Sequence, residues 1–317
     1  MLDFIYYPVS AILWFWHTAF GALLGPDSGF AWALAVVFLV FTVRIFLLRI
    51  VIEQLRTARQ IRELQPRIKA LRKTYAGDRM RQAIEMRKLQ KDHGFNPWMG
   101  YLPILVQAPV FLGLYHVLRS FNRTGTGWGQ LGMSPEANAA TPNYVFSATG
   151  VQSFLTARLF GAPISAAITT PDSMLASFAS FGGVPTTGAI AAVAIPLMLI
   201  AGLATHFNAR ASLAGQNPGA VQDSRVAMMK QVMLWVLPLG VLAGGSFLAI
   251  AILLYLVSNS VWTYGQQHII SVRTNREKAL PATSAVDRRA ATAPRPGARP
   301  VNSEKPAGGR KRRGKTR

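Results

Sequence analysis

One arginine stands where a charge is costly. Phe30–Leu48 reads FAWALAVVFLVFTVRIFLL, and Arg44 is the single charged residue among its nineteen. At ~1.5 Å per residue a helix puts Arg44 ~21 Å beyond Phe30, inside a hydrocarbon core of ~30 Å. On insertion scales an arginine at mid-span costs about 2.5–3.5 kcal/mol. The chemistry open to it is the capture of an anion, because a guanidinium stays charged and presents donors matched to a carboxylate. Its neighbours on the same helical face, Val37, Val40, Phe41, Leu47 and Leu48, are all apolar. None of the chain's long apolar runs contains Asp or Glu, so Arg44 finds no counter-ion within them. Two resolutions stand open. Arg44 reaches about one turn towards the membrane interface, or the runs enclose a water-filled cavity in which it meets a passing carboxylate. Gln107, Ser258 and Asn259 are polar groups in other runs that suit the lining of such a cavity. Each alone serves equally well as an interhelical hydrogen bond.

Other chemistry has no support at useful spacing. There are no paired acids, no histidine cluster, no Ser/His/Asp set and no glycine-rich phosphate loop; His116 and His206 fall near the ends of apolar runs. The chain has no cysteine, which excludes disulfides, thiolate catalysis and thiolate metal sites. The expectation is a protein that is not an enzyme, with no cofactor, no metal and no small-molecule substrate. The missing intramembrane carboxylates and the lack of an inverted repeat also disfavour ion-coupled transport.

The elements that must position Arg44 are membrane helices. Half of the 317 residues are hydrophobic and 15% are charged, with the charges gathered between apolar runs, which points to an all-α polytopic membrane protein. Spans are expected at about 29–49, 101–121, 186–206, 230–243 and 247–265. Residues 1–27 carry Phe4, Tyr6, Tyr7, Trp14, Trp16 and Phe20, a density that suits an interfacial or re-entrant helix, while Pro8 and His17 weaken a crossing; a crossing by 1–24 would make six spans with the N-terminus inside. The segment Arg49–Gly100 holds 13 Lys/Arg against 5 Asp/Glu. Within it Ile61, Leu64, Ile68, Leu71 and Tyr75 step as a heptad seam. That predicts a helical hairpin over 53–92, kinked at Pro66, turning at Gly77-Asp78, with Met80, Ala83, Ile84 and Leu89 on its second arm. Pro103 and Pro109 lie inside the second run, where neighbouring groups must satisfy the freed carbonyls.

The loop 122–185 holds only Arg123 and Arg158 as basic residues. Part of it, about 151–168, is mildly apolar and could lie along the membrane surface. The 27-residue run Val232–Ser258 is broken by Gly244-Gly245-Ser246. Residues 266–317 carry 14 Lys/Arg against 3 acids and end GGRKRRGKTR. Basic flanks stay cytoplasmic. Two short helices at the glycine break put the tail and the basic hairpin on the same side, leaving 122–185 extracytoplasmic. The tail 271–317 lacks large apolar residues after Leu280 and is expected to be disordered. Its terminal cluster, Arg310, Lys311, Arg312, Arg313, Lys315 and Arg317, suits RNA, suits anionic lipid, or merely fixes topology.

Four stretches together resemble a known family: TVRIFLL, LQPRIKALRKTY, NPWMGYLPILVQAPVFLGLY and LLYLVSNSVWTYGQQ. They are similar to the YidC/Oxa/Alb membrane protein insertases, in the short bacterial form of actinobacterial-like sequences. The resemblance covers about 28–122 and 186–270, without the large extracytoplasmic domain of enterobacterial members. It implies a five-helix insertase core around a hydrophilic groove open to cytoplasm and lipid, with a cytoplasmic helical hairpin. The family's groove arginine falls on Arg44, its aromatic contact in the last helix on Tyr255, and its second-helix glutamine and prolines on Gln107, Pro103 and Pro109. Two positions depart: Tyr101 stands where some members have Cys, and Val40 where some have Thr. The resemblance implies an insertase and chaperone of nascent membrane proteins, acting alone or with the Sec translocon. It also implies ribosome contact through the tail, and a multi-pass place in the bacterial inner membrane with the C-terminus cytoplasmic. The alternative is a channel or transporter with a cationic cytoplasmic vestibule.

Overall fold

Apolar runs become long helices wherever nothing interrupts them. The computed structural model describes residues 2–94, 102–125, 131–214, 228 and 230–269. The chain divides into a unit Met1–Gln267 and a remainder His268–Arg317. The tail beyond residue 269, with its expected disorder and its arginine cluster, lies outside the described residues.

Helix α1 (Asp3–Leu24) turns through Gly25 and Pro26 into α2 (Gly29–Thr74). Apolar sequence ends near Leu48, but α2 does not. Glu, Gln, Leu, Arg and Lys are good helix formers and carry it on for 46 residues, ~69 Å, through Pro66. The first arm of the hairpin is therefore a continuation of the span, not a separate helix starting at 53. At the tip Asp78 accepts the Arg81 amide at 3.0 Å, an N-cap that starts α3 (Arg79–Asp92). Leu64 and Ile68 pack on Met86 and Leu89. Met80 and Ile84, expected on the packed face, are exposed, because the face that meets α2 is one position round the helix.

Helix α4 (Leu102–Arg119) has Pro109 in its interior. The third long helix comes after the loop that follows α4 and extends well past residue 206. It is α8 (Thr187–Ala214), numbered after the loop helices described below. A π-helical turn (Val232–Val236) leads into α9 (Leu237–Gly245). The last helix occupies residues 250–269. The glycine break thus falls after Gly245, not at 244–246. A Cβ on Gly245 would lie 2.8 Å from Met198 Cγ, so this glycine lets α9 close on α8. Gly244 has nothing within 4 Å of its Cβ position and permits no such approach. Among the described residues Gly29–Glu53 and Thr187–Leu213 are long and apolar enough to cross a membrane, and Val232–Gly245 is apolar but shorter.

The segment between α4 and α8 folds into a cap. It contains α5 (Pro135–Ala140), α6 (Ala148–Thr156), the two-residue strands β1 (Arg158–Leu159) and β2 (Ala162–Pro163), α7 (Asp172–Ala176) and a 3-10 turn. Within 151–168, Val151, Phe154, Ala157, Ala162 and Ile164 are buried. The reason is a set of long-range bonds. Trp32 Nε1 donates to Ser153 Oγ at 3.1 Å, and Ser153 Oγ donates to Pro26 O at 2.7 Å. The amides of Ile250 and Ala251, orphans at the start of the last helix, donate to Ala166 O at 3.0 Å and Ile164 O at 2.9 Å. Arg158 donates to the carbonyls of Gly161, Phe181 and Gly183.

Helix α1 has both ends at this capped end of the bundle. Tyr6 stacks on His116, three residues from the end of α4, with ring centroids 4.2 Å apart. Leu24 leads straight to the start of α2. A helix of 22 residues, ~33 Å, with both ends there lies across the bundle, not along it. Its middle is tied down by Trp16 Nε1, which donates to Thr42 Oγ1 at 2.9 Å.

Candidate functional site

Arg44 projects from α2 and turns onto the last helix. Its Nε donates to Asn259 Oδ1 at 3.1 Å, and Nη2 donates to the same oxygen and to Thr263 Oγ1 at 3.2 Å. The Thr263 hydroxyl spends its own proton on the Asn259 carbonyl at 2.8 Å, so it meets Arg44 as an acceptor. One turn away Gln107 Nε2 of α4 donates to Tyr255 OH at 2.8 Å. Tyr255, Asn259 and Thr263 are spaced by four, which aligns them as one polar stripe down the last helix. Three helices thus bring Arg44, Gln107, Tyr255 and Asn259 to one crevice, walled by apolar residues such as Val9, Val40 and Leu114.

Every acceptor on the guanidinium is neutral. Among the described residues no carboxylate pairs with Arg44; described ion pairs such as Arg81–Asp78 at 3.5 Å and Lys88–Glu85 at 2.6 Å are local to the hairpin. Arg44 is half-buried, and the crevice has a volume of ≈ 10 Å³. That is room for about one water, not for a broad aqueous chamber.

Of the expected site residues, Ser258 is not brought in. It is buried and donates to Leu254 O at 2.7 Å, the back-bond that a serine makes inside a helix. Pro109, Gly244 and Gly245 are not among the described lining residues, and the side chain of Pro103 lies outside the described ones. Arg310, Lys311, Arg312, Arg313, Lys315 and Arg317 lie outside the described residues. Thr263 was missed in the sequence. Its four-residue step from Asn259 is the signal that points to it.

Fold and site together define a polytopic α-helical membrane protein whose bundle holds a guanidinium among neutral acceptors. A family model described as "60Kd inner membrane protein" matches residues 23–278, which include all of the crevice beyond α1. The chain belongs to that family, the YidC/Oxa/Alb proteins. It is 54% identical over 306 residues to a Mycobacterium tuberculosis protein named membrane protein insertase YidC, spanning 96% of this chain and 82% of that one. Proteins of the same name from Mycolicibacterium paratuberculosis and Mycobacterium leprae are 52% identical over 308 residues and 51% over 299. The first match spans 97% of this chain and 86% of the relative, the second 94% and 77%.

Proposed function

We propose that this chain is an insertase and chaperone for nascent membrane proteins, in a bacterial inner membrane, with the crevice at Arg44 as the client's polar contact. The observation that carries this reading is the guanidinium held, among the described residues, by the neutral acceptors of Asn259 and Thr263. A client carboxylate offers a charged acceptor in two-pronged geometry, stronger than either neutral one. It displaces them and draws an extracytoplasmic segment into the bundle, while the client's apolar segment leaves sideways into lipid. Burial of ~20 apolar residues supplies the drive, and no nucleotide is required. The protein works alone or beside the Sec translocon, with hairpin and tail in the cytoplasm and the tail against ribosomal RNA. Protection of the C-terminus in sealed inside-in vesicles tests that orientation; cleavage by external protease refutes it.

The test of function is site-specific crosslinking to a stalled nascent membrane protein from positions 44, 107 and 259, with the chain alone in liposomes. Adducts from these positions support the reading, and silence from all three overturns it. The names of the relatives favour this reading over a cationic channel, and the narrow crevice supports it too. Ion flux through the same liposomes, indifferent to nascent chains, would favour the channel.

A further inference from the structure

A second, larger crevice of ≈ 540 Å³ opens at the capped end of the bundle, lined among others by Tyr7, His116, Arg119, Arg123, Asn143 and Tyr144. Arg123 is fixed in place. Its Nε donates to Ser120 O at 2.6 Å, and its Nη2 to Pro142 O at 3.0 Å and to Asn143 Oδ1 at 3.3 Å. These acceptors are neutral, so they aim the guanidinium without cancelling its charge. Its Nη1 makes no hydrogen bond among the described residues. Arg119 adds a second cation, steadied by a 2.8 Å bond from Nη1 to Tyr115 OH. No acid lines the crevice among the described residues; Asp3 lies close enough to act on both its His116 and its Tyr144.

A neighbouring crevice of ≈ 350 Å³ shares Arg119 and Asn122 with the first. It runs on over Tyr115, Met174 and Phe247, with Thr169 and Thr170 on its polar side, and past Ser165, whose hydroxyl oxygen is buried without a hydrogen-bond partner among the described residues. Phe247 is 72% exposed. A cationic mouth and a mixed crevice with an exposed phenyl ring therefore join at Arg119. This is also the last residue of α4, the level at which a span meets the membrane–water boundary.

We propose that the joined crevices bind one anionic phospholipid. Its phosphodiester pairs with Arg119 and Arg123, and an acyl chain lies against Tyr115, Met174 and Phe247. A free phosphate ion offers the same charge but leaves Phe247 uncovered. The test reconstitutes the full chain with phosphatidylglycerol or phosphatidylcholine, extracts it in mild detergent and counts retained lipid by native mass spectrometry. The wild type retains phosphatidylglycerol over phosphatidylcholine. Arg119→Gln lowers that retention about tenfold, the loss of one charge-assisted contact. Arg81→Gln, at the hairpin tip, leaves it unchanged. Arg123→Gln behaves like Arg119→Gln if the cap still folds, and Arg119→Gln carries the test if it does not. Resistance of the retained lipid to inorganic phosphate supports the phospholipid. Its release by inorganic phosphate overturns the lipid assignment in favour of a free-anion site. Equal retention of the two lipids, or by Arg119→Gln and wild type, overturns the site.

Discussion

Asn259→Asp gives Arg44 the counter-ion that its bundle lacks. A carboxylate ~4 Å from the guanidinium attracts it by about 4 kcal/mol at an effective dielectric near 20. The present neutral bonds to a charged group are worth about 1.5–3 kcal/mol net. The difference, about 1–2.5 kcal/mol, is what an acidic client must now overcome, a roughly 5- to 60-fold weaker capture. The assay is insertion into liposomes of two single-spanning clients that differ only in an acidic or a neutral translocated tail, read by protease protection. Asn259→Asp should slow the acidic client by roughly that factor and leave the neutral one at the wild-type rate, with a melting temperature no lower than wild type. Asn259→Ala should act the other way on the acidic client, because it removes a competing acceptor, while lowering stability by about 1–3 kcal/mol. If Asn259→Asp slows both clients alike, or neither, Arg44 is not attracting client charge.

Three further outcomes follow from the packing and the charge. Gly29→Ala puts a Cβ 2.0 Å from Arg158 O, so it should destabilise the cap by about 1–3 kcal/mol, seen as a lower melting temperature in detergent; an unchanged one refutes the close approach. Gly245→Ala must push Met198 aside and should cost roughly 1 kcal/mol, whereas Gly244→Ala should be neutral or stabilising through helix propensity; the same sign for both would contradict the assignment of the contact to Gly245. Deleting 275–317 should abolish co-sedimentation with ribosomes, which in the full chain should weaken steeply with added salt; retained, salt-insensitive binding rules out the tail as the RNA contact.

What could be read from the sequence was whatever local chemistry dictates. Arg44 stood out because every neighbour on its face is apolar, and Gly244-Gly245 marked a break as adjacent glycines inside a long apolar run. The extent of α2 was harder: hydropathy falls at Leu48, yet helix propensity does not, and the backbone follows propensity. The cap was not legible. Its burial depends on pairs such as Trp32–Ser153, 121 residues apart, and on carbonyls that cap a helix some 85 residues later. Ser258 and Thr263 show the same limit on a smaller scale. Both are hydroxyl residues one turn or less from Asn259, and only the rotation of the last helix against α2, set by contacts 219 residues apart, makes one an acceptor and the other a bystander.

The continuity of α2 has a mechanical meaning. From Arg44 to Thr74 one unbroken helix extends ~45 Å. It acts as a lever, with its pivot where α1 and α4 clasp its apolar half. A tilt of ~10° at the pivot swings the far end by ~8 Å, and a load on the hairpin tip is felt at the guanidinium without any intervening loop to absorb it. Pro66, which lacks one hydrogen bond of the ladder, is the single soft joint in that arm. Whatever grips the hairpin therefore has a direct handle on how tightly Arg44 is held against the last helix.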